Sequence, residues 1–544
     1  MAIGKIKKEF KSVVDNPTKK ALLFKDFDGK EYWIPRSLCT LIKQKEGMVV
    51  ATLAAFKFEE ITGIVPEDMA TSFVSMGGEP LLQHRVNCKL VLSNAFKYYD
   101  AQVLQLSSMV KCRYNFINWD AGCGKTLGSL TLAASYLAAG IVDEIIILCP
   151  ASLQGQWKEK QLECYPSMKT TIISIEGNSF STSLPKMLDK LNETIGKKHL
   201  IVDESHMVKN LTAKRTKNID RYYKAECVTC CTASAIGRNA SDLFYQYSLA
   251  DRDIIGCENF NGFAKNFLLF GGQDGDKVVA YQNTKDLAAR IAPYTWYLTK
   301  KQIRQDMPEC HFHKVYYQME DRQLRAYNAI TGLISQIQAK TKSGYIPKEK
   351  TYQITSFLQK ISCGFIPDED ELQMIFGNLG LLGQAAENVA RIKEIGFQQE
   401  NKRISAIQQT ISSNHPNEQA IIWCSFRDEL AALQKVFTNS ETLVGGMSEK
   451  NIQKTMHHFK NQKFQYLIAM QQMGTGFDLP WVNYVHFSTT VFDWIKRHQS
   501  IERINRINRI GDSHVFDYIG KGSIDERIHK VLEYKQEITS IFKS

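Results

Sequence analysis

The sequence predicts an α/β fold with two regions of parallel sheet, and three observations support this prediction. From about residue 86 to 250, short apolar runs alternate with segments of helical periodicity. The same alternation resumes at about residue 416 and continues towards the end of the chain. Between these regions the rhythm is lost, and 322–342 and 388–412 have the pattern of amphipathic helices. Strands that alternate with helices favour a parallel sheet covered on both faces.

The strands of both regions are predicted from apolar runs bounded by turn residues. In the first region they are 114–119, 144–149, 171–175, 199–203 and 227–232. In the second they are 420–424, 442–444, 464–470, 484–487 and 514–519. After the first strand, Leu127, Leu130, Ala134 and Leu137 recur at helical spacing, and Gly140 is placed to cap that helix.

Residues 1–85 are predicted to form a small accessory module that contains β-structure. Two apolar runs, 21–24 and 31–34, flank Asp28-Gly29, which is a strong hairpin signal. Residues 49–58 add a further strand or a short helix. We therefore expect four parts: the module at 1–85, an α/β lobe at 86–300, a helical insertion at 301–415 and a second α/β lobe at 416–544.

Composition favours a globular protein with a polyanionic partner. The 544-residue chain has 44% hydrophobic and 23% charged residues, with a net charge of +11. The excess of positive charge favours nucleic acid, although a basic surface without a partner also explains it. No apolar run is long enough for a membrane span, and the lysines near the amino terminus precede no apolar core of a signal peptide.

Thirteen cysteines are scattered without the spacing of a disulfide framework. Cys227 and Cys230 have zinc-like spacing, but they lie in a predicted strand and no second pair follows. We therefore expect a reducing, cytoplasmic location.

A glycine-rich loop follows the first predicted strand and precedes a helix. Its residues are Asp120, Ala121, Gly122, Cys123, Gly124, Lys125 and Thr126. Glycines let backbone N–H groups surround a phosphate at a helix start, where the helix dipole favours an anion. Lys125 would contact the β and γ phosphates, and Thr126 would offer its hydroxyl to magnesium. Trp119 stands where the strict pattern has a further glycine, and a tight strand-to-helix turn without a ligand is the alternative.

A second motif is the acidic pair at the end of the apolar run 200–203. Asp203 would hold magnesium, and Glu204 would orient or deprotonate the attacking water. An ordinary acidic strand end is the alternative. His206 would couple phosphate sensing to a second lobe, or it is a surface residue.

Three arginines recur every third residue on a predicted helix after Gln499: Arg503, Arg506 and Arg509. Such a row repels itself unless an anion lies opposite. We interpret Arg506 and Arg509 as catalytic residues that stabilise charge on a transferred phosphoryl group. A basic face for nucleic acid is the alternative, and it suits Arg503 best.

With these motifs identified, the chain from about 95 to 535 resembles the Swi/Snf-type branch of superfamily 2 helicase-like ATPases. The matching segments are 120–126, Cys149-Pro-Ala-Ser-Leu-Gln-Gly-Gln-Trp157, Asp203-Glu-Ser-His-Met-Val-Lys-Asn210, Tyr297-Leu-Thr-Lys-Lys301 with Asp306-Met-Pro308, 506–511 and 521–527.

The resemblance implies two RecA-like lobes with ATP and Mg²⁺ in the cleft and duplex DNA bound across both. It assigns adenine recognition to Gln102, for which a helix-surface glutamine is the alternative, and further nucleotide contacts to Gly476 and Asp478. Members usually translocate on double-stranded DNA, remodelling bound proteins or reannealing strands.

Two motifs depart from the family pattern. Thr232-Ala-Ser-Ala235 replaces Thr-Gly-Thr-Pro, which puts coupling between ATP and DNA in doubt. Asn505 replaces a usual acidic residue. The chain is compact and shows no further accessory module, so it is most similar to phage, viral or bacterial members and would act in the host cytoplasm if viral.

Candidate DNA contacts follow strand ends in both lobes, where side chains can reach backbone phosphates. They are Ser152, Gln156, Lys209, Asn210, Ser425 and Arg427. Trp157 is expected in the core rather than as a base-stacking platform. We also expect a monomer, with a protein partner possible through residues 1–85.

Three functions remain open at this point: a DNA-stimulated ATPase that translocates on duplex DNA, a strand-separating DNA or RNA helicase, and a clamp that binds nucleic acid without hydrolysis. The intact Lys125, Asp203, Glu204 and Arg509 favour hydrolysis, and the altered motif at 232–235 is the only support for the clamp.

Overall fold

A computed structural model describes residues 6–14, 21–45, 48–64, 78–175, 196–208, 225–232, 241–271, 277–340, 348–365, 401–473, 477, 479–491 and 494–541. The chain divides into two compact units. The first comprises Met1–Gln305 with Glu537–Ser544, and the second comprises Asp306–Gln536.

The first unit begins with two small antiparallel sheets. Their elements are β1 (Ile6–Phe10), β2 (Ser12–Val14), β3 (Ala21–Lys25), β4 (Glu31–Pro35), β5 (Cys39–Lys45), β6 (Met48–Leu53) and α1 (Ala55–Thr62). The predicted hairpin is confirmed, because Lys25 pairs with Glu31 across a turn in which Gly29 has φ +87°. Strand β6 and helix α1 together fill the segment for which a strand or a helix was expected.

A six-stranded parallel sheet forms the core of the first unit, as the alternating pattern predicts. The elements that follow α1 are α2 (Asp100–Met109), β7 (Tyr114–Ile117), α3 (Lys125–Ala138), β8 (Glu144–Cys149), α4 (Gln154–Cys164), β9 (Thr170–Ser174), β10 (Lys198–Asp203), β11 (Cys227–Cys231), α5 (Ser241–Ser248), α6 (Phe260–Phe267), β12 (Leu268–Gly271), β13 (Lys277–Tyr281), α7 (Thr284–Ile291), β14 (Thr295–Trp296) and α8 (Lys300–Ile303). The strand order is β14-β7-β11-β10-β8-β9, with every pair parallel. The loops that follow β7, β8, β10 and β11 therefore share one edge of the sheet.

The second unit contains another six-stranded parallel sheet. Its elements are β15 (Cys310–Tyr317), α9 (Asp321–Lys340), α10 (Lys348–Ser362), α11 (Lys402–Asn414), β16 (Ala420–Cys424), α12 (Arg427–Val436), β17 (Ser440–Leu443), α13 (Glu449–Lys460), β18 (Tyr466–Met470), β19 (Tyr484–Phe487), α14 (Trp494–Glu502), β20 (Ser513–Gly520) and α15 (Ile524–Ile541), whose last residues are grouped with the first unit. The order is β15-β20-β19-β16-β18-β17.

Core packing explains why these strands are apolar throughout. Ile421 and Trp423 of β16 pack into one buried cluster, while Ile422 and Cys424 pack into another on the opposite face. A sheet covered on both faces requires apolar residues at successive positions, because successive side chains point to opposite sides. The predicted fold class, α/β with two parallel-sheet lobes and a β-containing amino-terminal module, is confirmed.

The region from 250 to 415 is less helical than the sequence suggested. Strand β12 pairs with β1 through Ile6 and Gly271, and β13 pairs with β12, so this hairpin extends the amino-terminal sheet. Among the residues that the structure describes, strand β15 pairs only with β20, some 200 residues away, and its Phe312 and Tyr316 are exposed. Because half of β15 faces solvent, it lacks the continuous apolar run that marks a buried strand.

The predicted domain boundary at 300/301 lies close to the division at 305/306 between the units. The segment 306–415, expected as a separate insertion, belongs to the second unit. Helix α9 matches the prediction at 322–342, and α11 matches the end of the prediction at 388–412; residues 388–400 lie outside the described residues.

Candidate functional site

The glycine-rich loop connects β7 to α3 in the first unit. Gly122 and Gly124 have φ values of +85° and +83°, a backbone conformation that side chains with a Cβ atom rarely adopt. A Cβ atom on Gly124 would lie 2.7 Å from Nε2 of Gln102, so glycine is required here on two grounds. Cys123 is buried between them, and Ala121 and Thr126 are half-buried.

Lys125 is the first residue of α3 and its side chain closes over the loop. Its Nζ donates hydrogen bonds to the carbonyl oxygens of Trp119, at 2.9 Å, and Asp120, at 3.2 Å. The Asp120 carboxylate accepts from the backbone N–H of Lys300 at 3.3 Å. The lysine is therefore held at the loop on which a phosphate is expected.

Gln102 is buried beneath the loop rather than on a helix surface. Its Nε2 donates to the carbonyl of Cys123 at 2.9 Å, and its Oε1 accepts from the backbone N–H of Tyr99 at 2.9 Å. The second contact caps the start of α2. The structure thus joins α2 to the glycine-rich loop through this one amide, while adenine recognition by Gln102 stays a prediction.

The structure explains how Trp119 fits where the strict pattern of the glycine-rich loop has a further glycine. A Cβ atom on Gly128 of α3 would lie 3.0 Å from Cζ3 of Trp119, so the indole lies directly against the helix backbone. The indole N–H donates to Oε1 of Gln105 at 2.7 Å. A large residue fits before the loop because a glycine lies opposite it on the helix.

Asp203 ends β10, and its carboxylate is held by two hydrogen bonds. Its Oδ1 accepts from the backbone N–H of Glu204 at 2.9 Å, and its Oδ2 accepts from the indole Nε1 of Trp157 at 2.8 Å. Asp203 and Trp157 are 8% and 1% exposed. Glu204 has φ +50°, so the chain turns sharply at the acidic pair.

The pKa of Asp203 is raised to about 6, first by burial and second by the neighbouring Glu204 carboxylate. The Trp157 hydrogen bond and the positive charge of Lys125 act in the opposite direction on this pKa. The influence of both Lys125 and Glu204 places all three side chains in one electrostatic environment. A buried carboxylate that resists ionisation is common where a cation completes the site.

His206 connects the acidic pair to the altered motif at 232–235. Its Nδ1 lies 3.1 Å from Oε2 of Glu204 and 3.1 Å from Oγ1 of Thr232. Thr232 follows β11, whose carboxyl end lies between those of β7 and β10. Although residues 233–235 lie outside the described residues, Thr232 itself keeps a contact with the acidic motif.

The arginine row in the second unit is not helical, which corrects the sequence prediction. Helix α14 ends at Glu502, and the backbone carbonyl of Arg503 accepts from the N–H of Leu479 at 2.8 Å. That carbonyl would have to accept from residue 507 for the helix to continue. Residues 503–510 form turns instead, with Arg509 N–H donating to the Arg506 carbonyl at 3.1 Å.

The three arginines occupy different environments. The Arg503 guanidinium donates to the carbonyl of Phe477 at 3.1 Å. Arg506 is half-buried, whereas Arg509 is fully buried. Burial lowers the pKa of the Arg509 guanidinium, and the neighbouring Cys310 and Asp512 oppose this effect.

The predicted DNA contacts fall at the carboxyl edges of the two sheets where they are described. Ser152 and Gln156 are exposed around the start of α4, after β8. Ser425 follows β16 and is half-buried, and Arg427 is exposed at the first position of α12. Four predicted site residues, Lys209, Asn210, Gly476 and Asp478, lie outside the described residues.

Two residues near these positions were missed or only partly interpreted by the sequence analysis. Trp157 is in the core, as predicted, but its indole also holds Asp203. Glu429 of α12 is 1% exposed, and its carboxylate accepts from the backbone N–H of Ser425 and the hydroxyls of Ser488 and Thr489. A glutamate at the third helical position signals a capping role, but contacts to a different strand end leave no local signal.

Comparison with known protein families gives two matches. A SNF2-related domain matches residues 179–364, and a helicase conserved C-terminal domain matches residues 402–510. Together they span parts of both units in the order that the motifs predict.

Individual relatives are distant. An uncharacterised ATP-dependent helicase of Bacillus subtilis is 22% identical over 441 residues, covering 76% of this chain and 74% of the relative. The TATA-binding protein-associated factor MOT1 of Saccharomyces cerevisiae is 21% identical over 495 residues, covering 77% of this chain and 26% of the relative. The chain therefore spans about a quarter of the length of MOT1.

Among solved structures, the SWI2/SNF2 ATPase core of Sulfolobus solfataricus in complex with dsDNA is similar at 18% identity, with 84% of this chain and 94% of that chain covered and a TM-score of 0.37. Within the described residues of our protein, no helix is both long and apolar enough to cross a membrane.

The matched domains and their order show that the chain belongs to the Swi/Snf-type branch of superfamily 2, a family of ATP-dependent helicase-like ATPases.

Proposed function

We propose that this protein hydrolyses ATP in response to nucleic acid and uses the cycle to translocate on duplex DNA, remodelling or reannealing it. The observation that carries the proposal is the grouping of Lys125, Asp203 and Glu204 at one edge of a parallel sheet. The loops after β7 and β10 bring these side chains to the same edge, and the charges of Lys125 and Glu204 both act on Asp203.

The residues at this edge fit Mg²⁺. The ion usually binds proteins through one or two oxygen ligands and completes its shell with phosphate oxygens and water. Asp203 supplies a buried carboxylate and Thr126 a hydroxyl, and the described residues contain no cluster of three or more His, Cys, Asp or Glu that would form a separate metal cage. Bound Mg²⁺ neutralises charge on the β and γ phosphates.

The chain's own residues then have distinct roles. Lys125 binds the phosphates, and the backbone N–H groups of the glycine-rich loop surround them. Glu204 orients the attacking water and accepts its proton, with His206 holding the Glu204 carboxylate from the side of Thr232. Arg506 stabilises the negative charge of the transferred phosphoryl group, and Arg509 supports or shares that role.

DNA is proposed as the partner because of the family membership and the net charge of +11. Ser152 and Gln156 in the first unit and Ser425 and Arg427 in the second are proposed to contact backbone phosphates. Such contacts position a motor without reading sequence, so binding should weaken strongly as salt rises.

The deciding experiment measures ATP turnover by the purified chain with duplex DNA, single-stranded DNA and RNA at two salt concentrations. We expect the largest stimulation with duplex DNA and a smaller one at high salt. Stronger stimulation by RNA or single strands, together with strand separation, would favour the helicase alternative. Binding without turnover would favour the clamp.

Lys125→Ala and Glu204→Gln assign any observed turnover to the proposed site. Lys125→Ala should lose nucleotide binding or turnover. Glu204→Gln should bind ATP and hydrolyse little of it. Normal turnover by both variants would refute the assignment.

A further inference from the structure

Trp157 connects two parts of the first unit that the proposed function uses separately. It is the fourth residue of α4, directly after Gln156, which is exposed and is a proposed phosphate contact. The Trp157 side chain is 1% exposed, and its indole N–H donates to Oδ2 of Asp203 at 2.8 Å. Helix α4 thus carries both a candidate DNA contact and the hydrogen-bond donor to the carboxylate that is proposed to hold magnesium.

The two oxygens of Asp203 are held in different ways. Oδ1 accepts from the N–H of the next residue in the chain, a contact fixed by the turn after β10. Oδ2 accepts from a residue 46 positions away on a different element. An indole has a single N–H donor. The orientation of the Trp157 ring and the rotation of the Asp203 carboxylate are therefore fixed by the same hydrogen bond.

The length of this hydrogen bond makes it sensitive to movement of α4. An N–H···O contact of 2.8 Å is near the optimum, and such a bond is lost when the atoms separate beyond about 3.5 Å. A shift of α4 by less than 1 Å along the bond therefore changes how Asp203 is oriented. Helix α4 begins at Gln154, two residues after the exposed Ser152, so contact with a DNA phosphate would act on this end of the helix.

We propose that Trp157 is a positioning residue that couples DNA contact at the start of α4 to the orientation of the metal-holding Asp203 carboxylate. This inference rests on the proposed function. It predicts that DNA and the metal–nucleotide complex bind with mutual dependence, because each biases the position of the same helix.

The test uses Trp157→Phe, which retains a buried aromatic ring and removes the indole N–H. Its matched control is Trp296→Phe in the same unit, which removes an indole N–H that donates to Oδ1 of Asn115 at 3.1 Å. Binding of Mn²⁺ to each protein in the presence of ADP is measured by electron paramagnetic resonance, so the readout does not depend on turnover. Thermal unfolding of both variants reports any general loss of stability.

We expect Trp157→Phe to weaken Mn²⁺ binding about 10- to 100-fold, the range usual for residues that orient a metal ligand. The control should bind Mn²⁺ as the wild type does. Equal affinities in Trp157→Phe and wild type would overturn the positioning role, and so would an equal loss in both variants.

The coupling itself is measured by repeating the titrations with a short blunt-ended DNA duplex. In the wild type and in Trp296→Phe, duplex DNA should change Mn²⁺ affinity, whereas in Trp157→Phe this change should shrink towards none. An undiminished DNA effect in Trp157→Phe would overturn the coupling. Failure of DNA to stimulate ATP turnover by the wild type is a separate outcome, which refutes the proposed function rather than the indole contact.

Discussion

The two units present their candidate site residues in different ways. In the first, one loop and one strand end supply Lys125, Asp203 and Glu204, and their charges act on one another. In the second, the three arginines have different environments: Arg503 donates to the carbonyl of Phe477, Arg506 is half-buried and Arg509 is buried. The first unit thus groups its candidate residues, whereas the role proposed for the second depends on which arginine contacts a phosphate.

Equal spacing in the sequence therefore does not give equal structural environments. Arg503, Arg506 and Arg509 follow an identical three-residue rhythm, but the helix that would align them ends before the first. Beyond the helix, the Arg503 carbonyl accepts from the Leu479 N–H, and the Arg509 N–H donates to the Arg506 carbonyl.

The largest effect is expected from Arg506→Ala. An arginine that stabilises a transferred phosphoryl group contributes about 10³- to 10⁵-fold to the rate. We expect turnover to fall within this range, with little change in thermal stability because Arg506 is half-buried.

Arg509→Ala provides the comparison, because it removes a fully buried side chain and should lower the unfolding temperature by several degrees. Turnover and thermal unfolding of both variants, measured side by side, decide between the two arginines. Full activity of Arg506→Ala would remove it from the catalytic set.

Glu204→Gln should reduce kcat by about 10²- to 10⁴-fold, the usual contribution of a general base. ATP affinity should change little, because the amide preserves the shape of the side chain. Single-turnover hydrolysis and equilibrium binding of a fluorescent ATP analogue separate the two quantities. A variant that loses binding instead of turnover would contradict the role of Glu204.

The units should also differ in their response to acid. In the second unit, His415 and His486 lie with their Nε2 atoms 3.1 Å apart, and burial lowers the pKa of His415 to about 4 and that of His486 well below its usual value. In the first unit, burial lowers the pKa of His199 to about 3. All three histidines are neutral in the folded protein, whereas they gain protons in the unfolded chain as pH falls below about 6.5. They therefore have little effect on the free energy of unfolding above pH 6.5, and they lower it as pH falls from 6.5 towards 4.

Each such histidine should remove about 2 kcal/mol of stability between pH 6.5 and 5.0. Because the second unit carries the facing pair, we expect proteolysis at pH 5.0 to cut first within 306–536, with fragments identified by mass spectrometry. His486→Asn should reduce the pH dependence of the urea midpoint, whereas the exposed His457→Asn should not. Equal acid sensitivity of the two units would contradict this account.

The smallest effect concerns the loop backbone. Gly124→Ala places a Cβ atom at a φ of +83° and 2.7 Å from Gln102, and we expect roughly a tenfold loss of nucleotide affinity. Gly140→Ala is the control, because Gly140 has φ +65° and nothing lies within 4 Å of the added atom. Calorimetric titration with ADP measures both. Equal affinities in the two variants would show that the contact with Gln102 does not shape the loop.

The two motifs of the candidate site in the first unit could be recognised in the sequence because the residues within each motif are contiguous. A glycine-rich loop and an acidic pair each depend on local backbone geometry, which a few adjacent residues determine. The fold class was predictable for a similar reason, since strands buried on both faces need successive apolar residues.

The structural features that could not be predicted from the sequence depend on contacts between distant segments. The pairing of Ile6 with Gly271 and the place of β15 beside β20 leave no local pattern. The indole of Trp157 has the same apolar appearance in sequence whether or not its N–H finds Asp203. Just beyond the end of α14, the Arg503 carbonyl accepts from the distant Leu479 N–H, which no helical periodicity records.

In the proposed mechanism, Lys125 binds the triphosphate and an arginine of the second unit stabilises charge as the bond breaks. A solved structure of the protein with duplex DNA, ADP and aluminium fluoride would test this proposal. We predict that Lys125 and Arg506 both contact the fluoroaluminate group, with donor–acceptor distances of about 2.7–3.1 Å. A complex in which Arg506 and Arg509 both lie away from that group would contradict the account.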